Sequence, residues 1–149
     1  MNLSPHFTLE ELTYSSTAAR HGIDHTPPAE VVTELIRLCL TVLEPARLLL
    51  QEPFHVDSGY RCPAVNALVK GAKNSQHMLG QAADVIPDKL NLQAAFDKVR
   101  LSAVPYDQLI LECGSWLHMS CSADNVGPRR MALIGSLVNG LWVYQRVNP

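Results

Sequence analysis

Apolar positions in the first third of the chain recur at helical spacing. Thr8, Leu9, Glu10 and Glu11 form a capping box, with Thr8 as N-cap and Glu11 reaching back, which predicts a short helix. A second short helix is expected to end at Gly22. After Pro27 and Pro28, the apolar residues Val31, Leu35, Leu38 and Val42 share one face of a long amphipathic helix with proline in its first turn. Pro45 should kink or split that helix, because proline lacks the amide proton an interior position needs.

Beyond Pro53 the periodicity changes. Phe54 to Asp57 alternates as a strand does, Pro63 to Val69 reads as a short helix, and Ala82 to Ile86 reads as a strand ended by Pro87. Asn91 can cap a helix running through Leu101. Gln108 to Glu112 and Trp116 to Ser120 read as two strands joined by a turn at Gly114, a hairpin. The tail beyond Gly127 is less patterned; Met131 to Val138 is apolar and reads as an edge strand or a helix. Helices first, then strands mixed with helices, predict an α+β fold: a single domain with a mainly antiparallel sheet and N-terminal helices.

The chain's 149 residues are the usual size of one domain, and no repeat, linker or low-complexity run divides them. With Lys+Arg 12 against Asp+Glu 14, the formal net charge is -2, so no basic field for nucleic acid is expected. Met1 to His6 lack the cationic and apolar regions of a secretory signal, which predicts synthesis in the cytoplasm without a signal peptide. No membrane span is expected, since the most apolar segment, Leu35 to Leu50, is interrupted by Arg37, Glu44, Pro45 and Arg47. The four cysteines, Cys39, Cys62, Cys113 and Cys121, contain no CxxC pair and read as small buried apolar residues. Cys113 and Cys121 could face each other across the hairpin, but no disulfide is predicted.

Candidate chemistry concentrates in two stretches. The first runs from Ser58-Gly59-Tyr60-Arg61 through Asn66 and Gly71 to Ser75-Gln76-His77-Met78-Leu79-Gly80-Gln81-Ala82-Ala83-Asp84. A histidine and an aspartate in loops are more often solvated than ligating. Here, however, the small residues Gly80, Ala82 and Ala83 lead into a buried strand, where an unpaired Asp84 carboxylate would be costly unless a cation lay nearby. In the second stretch, His118 stands in an otherwise apolar strand, sharing a face with Trp116 and Ser120. His77, Asp84 and His118 would give a Zn2+ ion three protein ligands and leave a fourth position open, the catalytic rather than the structural pattern. Such a metal acidifies water and polarises a carbonyl, which suits amide hydrolysis.

These motifs, together with Asp107 to Glu112 and the Trp116-Leu117-His118 run, resemble the zinc D-Ala-D-Ala carboxypeptidase family. That family also includes phage endolysins cutting between L-Ala and D-Glu and the dipeptidases of vancomycin resistance. The resemblance covers about residues 7–120, leaving 121–149 as a C-terminal extension of one zinc peptidase domain over 1–149. It implies that the metal ligands are His77, Asp84 and His118, that Arg61 binds the substrate carboxylate, and that Ser75 helps hold the substrate backbone or its terminus. A planar guanidinium fits the Arg61 role, because it grips a carboxylate through two parallel hydrogen bonds.

The resemblance departs at the general base. Many relatives carry Glu or His three to five residues before the last ligand, where this chain has Cys113, Gly114 and Ser115. Glu112 is the nearest carboxylate and is the expected base. Asp107 and Gln108 are expected to orient a ligating imidazole, and Tyr60 and Trp116 either wall the cleft or simply pack. His6, His21, His25 and His55 have no ligand-like company.

The expected protein is therefore a monomeric zinc peptidase with an open cleft, cutting an amide of peptidoglycan peptide stems. Lacking a signal peptide and a wall-binding module, it would be of phage or prophage type, reaching the cell wall after release or within a phage particle. Two rivals stand beside this reading. One is a non-catalytic zinc protein of the same fold, a wall-binding or phage structural component; the other is an iron oxygenase using the same two-His-one-carboxylate set.

Overall fold

The N-terminal helices follow their caps. In the computed structural model, which describes residues 1–147, α1 (Leu9–Thr13) starts at Thr8. The Thr8 hydroxyl accepts from the Glu11 amide at 3.2 Å, and the Thr8 amide donates to the Glu11 carboxylate at 2.9 Å. α2 (Ser16–His21) is capped by Ser15 and ends at Gly22 in the left-handed conformation (φ 62°). α3 (Ala29–Leu38) buries Val31, Leu35 and Leu38 along one face. It then widens into a π-helical turn, Cys39–Leu43, and continues as α4 (Glu44–Leu50). The expected split at Pro45 is thus a one-turn widening just before the proline, which accommodates the missing amide without breaking the helix axis.

The remaining elements are β1 (Phe54–Ser58), α5 (Pro63–Leu68), a 3-10 turn (Gln76–Leu79), β2 (Ala82–Pro87), α6 (Leu92–Arg100), β3 (Gln108–Glu112), β4 (Trp116–Ser120), β5 (Met131–Val138) and β6 (Leu141–Arg146). The strands form one sheet in the order β1-β2-β4-β3-β5-β6, antiparallel throughout except for the parallel pair of β3 and β5. The fold is the expected single-domain α+β arrangement.

The C-terminal reading needs correction. β5 is not an edge strand: it pairs with β3 on one side and with β6 on the other, and β6 is the edge. β6 was not anticipated because Leu141, Trp142, Val143 and Tyr144 are consecutive large apolar residues, without alternation, and all four are exposed. A usable signal was nevertheless present. Asn139 and Gly140 form the two-residue connection, with φ of 51° and 77°, the backbone twist that favours Asn-Gly in tight hairpins. Of the expected extension over 121–149, residues 148 and 149 lie outside the described residues.

The sheet has two unlike faces. Leu109, Leu111, Leu117, Met119, Ala83 and Val85 point toward the helices and join Leu35, Leu38, Leu43 and Phe96 in the core. Period-two alternation sends Gln108, Ile110, Glu112, Trp116, His118 and Asp84 to the other face, which lines an open cleft. Among the described residues, no helix is long and apolar enough to cross a membrane.

Candidate metal centre and cleft

Asp84 on β2 and His118 on β4 are direct cross-strand partners, so their side chains leave the sheet side by side. On the far side of β2, Asp84 is opposite Ser58, where a β-bulge between Val56 and Ser58 bends the end of β1 around the site. His77 approaches from the 3-10 turn. Its Nε2 lies 3.4 Å from Asp84 Oδ1, and His118 Nδ1 lies 3.0 Å from the same oxygen. One ligand atom from each of the three residues falls within 4.8 Å of the others. Two imidazole nitrogens and a carboxylate oxygen at this spacing fit a zinc-type donor set open to the cleft on one side.

Hydrogen bonding and burial prepare the donors. His77 Nδ1 is 2.7 Å from the Gly59 carbonyl. A carbonyl only accepts, so Nδ1 carries the proton and Nε2 presents its lone pair inward. Burial, which outweighs the attraction of Asp84, lowers the pKa of His77, the direction that favours the neutral form a ligand needs. Burial alone would raise Asp84, but His77 and His118 outweigh it and hold the carboxylate well below its ordinary range, ionised. Gly59 is required by close approach: a Cβ there would lie 2.2 Å from the Leu12 carbonyl oxygen, part of a backbone that cannot give way.

Arg61 borders this centre with little to occupy it. Its guanidinium Nη2 donates to Ser75 Oγ at 3.5 Å, its buried Nε has no partner, and it forms no ion pair among the described residues. Burial lowers its pKa, while Asp84 opposes that shift. Ser75 caps the 3-10 turn, its Oγ accepting from the His77 amide at 3.3 Å. Glu112 is buried and lines the same cleft, two residues along β3 from Ile110, the cross-strand partner of His118. Burial raises its pKa, and the neighbouring His118 only partly offsets this.

The family model for peptidase M15 matches residues 5–120, most of the chain, and that span contains every residue of the centre described above. The chain belongs to the peptidase M15 family. No curated protein matches the chain. M15 peptidases are metalloenzymes, so the family makes this chain a peptidase with a peptide substrate, and the His-Asp-His group is where a metal can bind.

Within this M15 fold, two expected roles fall elsewhere. The Asp107 carboxylate does not orient an imidazole; it accepts from Gln76 Nε2 at 3.1 Å and from Arg129 Nη2 at 2.7 Å, tying the 3-10 turn to the segment before β5. Gln108 donates through its side-chain amide to Met131 Sδ at 3.6 Å. The orienting group is instead the Gly59 carbonyl, a backbone atom. Tyr60 and Trp116 do line the cleft, and Tyr60 also stacks on His25 with ring centroids 5.0 Å apart. All four cysteines are free; Cys121 is buried and Cys113 exposed in the turn. The M15 match stops at residue 120, yet Arg129, Leu133, Trp142 and Tyr144 from the C-terminal part also line this cleft of about 800 Å3.

Proposed function

We propose that the chain is a zinc metallopeptidase that hydrolyses an amide bond in peptidoglycan stem peptides, of the D-Ala-D-Ala carboxypeptidase or the L-Ala-D-Glu endopeptidase type. His77 Nε2, Asp84 Oδ1 and His118 Nδ1 would hold the ion. When bound, Zn2+ supplies Lewis acidity and lowers the pKa of water. The observation that carries the reading is the convergence of these three donors on the floor of a cleft that also holds Arg61, which forms no ion pair among the described residues and whose buried Nε has no partner there.

The chain's own residues then divide the work. Arg61 takes the free carboxylate of the substrate, supplying an anion to a guanidinium that forms no ion pair among the described residues. Ser75 already accepts two hydrogen bonds, and its hydroxyl proton remains available to the substrate. Glu112 takes the proton of the attacking water and returns it to the leaving amine. Burial raises the pKa of this carboxylate, the direction that suits a group which first takes and then returns a proton. The peptidase domain comprises 1–149, with the catalytic core over about 7–120 and the β5–β6 hairpin completing the cleft; a phage or prophage setting would accord with this activity.

Synthetic stem peptides discriminate the two bond types. Zinc-loaded protein is incubated with a pentapeptide ending in D-Ala-D-Ala and with a peptide carrying the L-Ala-D-Glu linkage, and products are identified by mass. Cleavage of either supports the reading and names the bond. Metal binding with neither cleaved would leave the non-catalytic rival in its place.

A further inference from the structure

Glu112, Gly135 and Tyr144 lie in one row across three neighbouring strands: Glu112 on β3 is in register with Gly135 on β5, which is in register with Tyr144 on β6. A Cβ added at Gly135 would lie 2.9 Å from Glu112 Oε2 and 2.9 Å from Tyr144 Cε1. The tyrosine ring therefore crosses the strand over the space a side chain would fill. Its hydroxyl stands 3.4 Å from Glu112 Oε2, and among the described residues no other side chain hydrogen-bonds that carboxylate. The contact is long for an O–H···O bond, as catalytic contacts often are before substrate closes the site.

Resting on the reading of Glu112 as general base, we propose that Tyr144 is a positioning residue. It holds the Glu112 carboxylate in the orientation from which the proton is taken, and Gly135 is left without a side chain so that it can reach. Tyr144 lies beyond the family-matched residues, so the C-terminal hairpin adds to the active site a contact that the matched span does not contain. The ring is half exposed while its hydroxyl faces the buried carboxylate. Burial and the charge of Glu112 push the phenol up to about 12, so it remains a donor wherever the enzyme works.

The test is a double-mutant cycle on hydrolysis of a wall peptide. Tyr144→Phe keeps the ring and removes the donor, and should lower kcat roughly threefold to tenfold with KM and Tm unchanged. In a Glu112→Asp background the carboxylate is one methylene shorter and out of reach, so adding Tyr144→Phe should cost nothing further. Gly135→Ala suits an extended strand and should fold, yet its methyl displaces both partners and should lower kcat to a similar degree. Wild-type kcat in Tyr144→Phe, or an equal loss in the Glu112→Asp background, overturns this inference alone. A wild-type protein without turnover overturns the general-base reading, and this inference falls with it.

Discussion

The main-chain amide of Arg61 donates to the carbonyl of His77 at 3.1 Å, so the candidate substrate anchor and a candidate metal ligand are fixed to each other through backbone. Ser75 joins the same frame, accepting from the His77 amide and from the Arg61 guanidinium. A carboxylate held by Arg61 would consequently sit at a set distance from the metal centre, the kind of positioning that makes a bound bond reactive.

Arg61→Lys should raise KM about tenfold or more on a peptide with a free carboxylate, because an ammonium cannot reproduce the two-pronged contact. The Arg61 side chain makes no ion pair within the fold among the described residues, so Tm should barely move. Steady-state kinetics and a thermal melt check both parts; an unchanged KM would show that the carboxylate is not bound there.

Purified protein should carry about one equivalent of zinc, removable by chelation and lost in His118→Ala. A ligand that binds only the folded state stabilises it, so zinc should raise the Tm of chelator-treated wild type and leave His118→Ala unmoved. Elemental analysis and paired melts provide the measurement. Undiminished zinc in a folded His118→Ala protein would remove His118 from the ligand set.

Glu112→Gln should keep zinc and lower kcat by roughly a hundredfold to ten-thousandfold, the typical contribution of a proton-shuttling carboxylate. Its stability should shift the other way. Burial raises the Glu112 pKa, so the folded state holds this proton more tightly than the unfolded chain does. The resulting cost of ionisation is absent below the ordinary carboxylate pKa of 4.5 and is present in full above the raised value. In chelator-treated protein, Glu112→Gln should therefore melt above wild type at neutral pH, with the advantage shrinking as the pH falls toward 4.5. Melts across that range test the sign.

Much of the site was legible because it obeys local rules. Period-two alternation placed His118 on the face of Trp116 and Ser120, and the cost of burying Asp84 pointed to a cation beside it. What escaped reading depends on contacts distant in sequence. Gly59 acts through its carbonyl on His77, and its missing Cβ answers to Leu12, neither of which is patterned in the chain. Asp107 reads as an orienting acid because ligating histidines usually need such a neighbour, but Arg129 binds it from a segment with no periodicity. β6 escaped because exposed apolar residues occupy both of its faces, although Asn139-Gly140 announced the turn.

Digestion of purified peptidoglycan tests the central claim most directly. Zinc-loaded wild-type protein is incubated with intact wall material, with and without a chelator, and the soluble products and newly exposed termini are identified by mass spectrometry. The account predicts peptide products from a single type of amide bond, abolished by the chelator and restored by added zinc. Protein that binds zinc through His77, Asp84 and His118 yet releases no peptide and exposes no new terminus would contradict it.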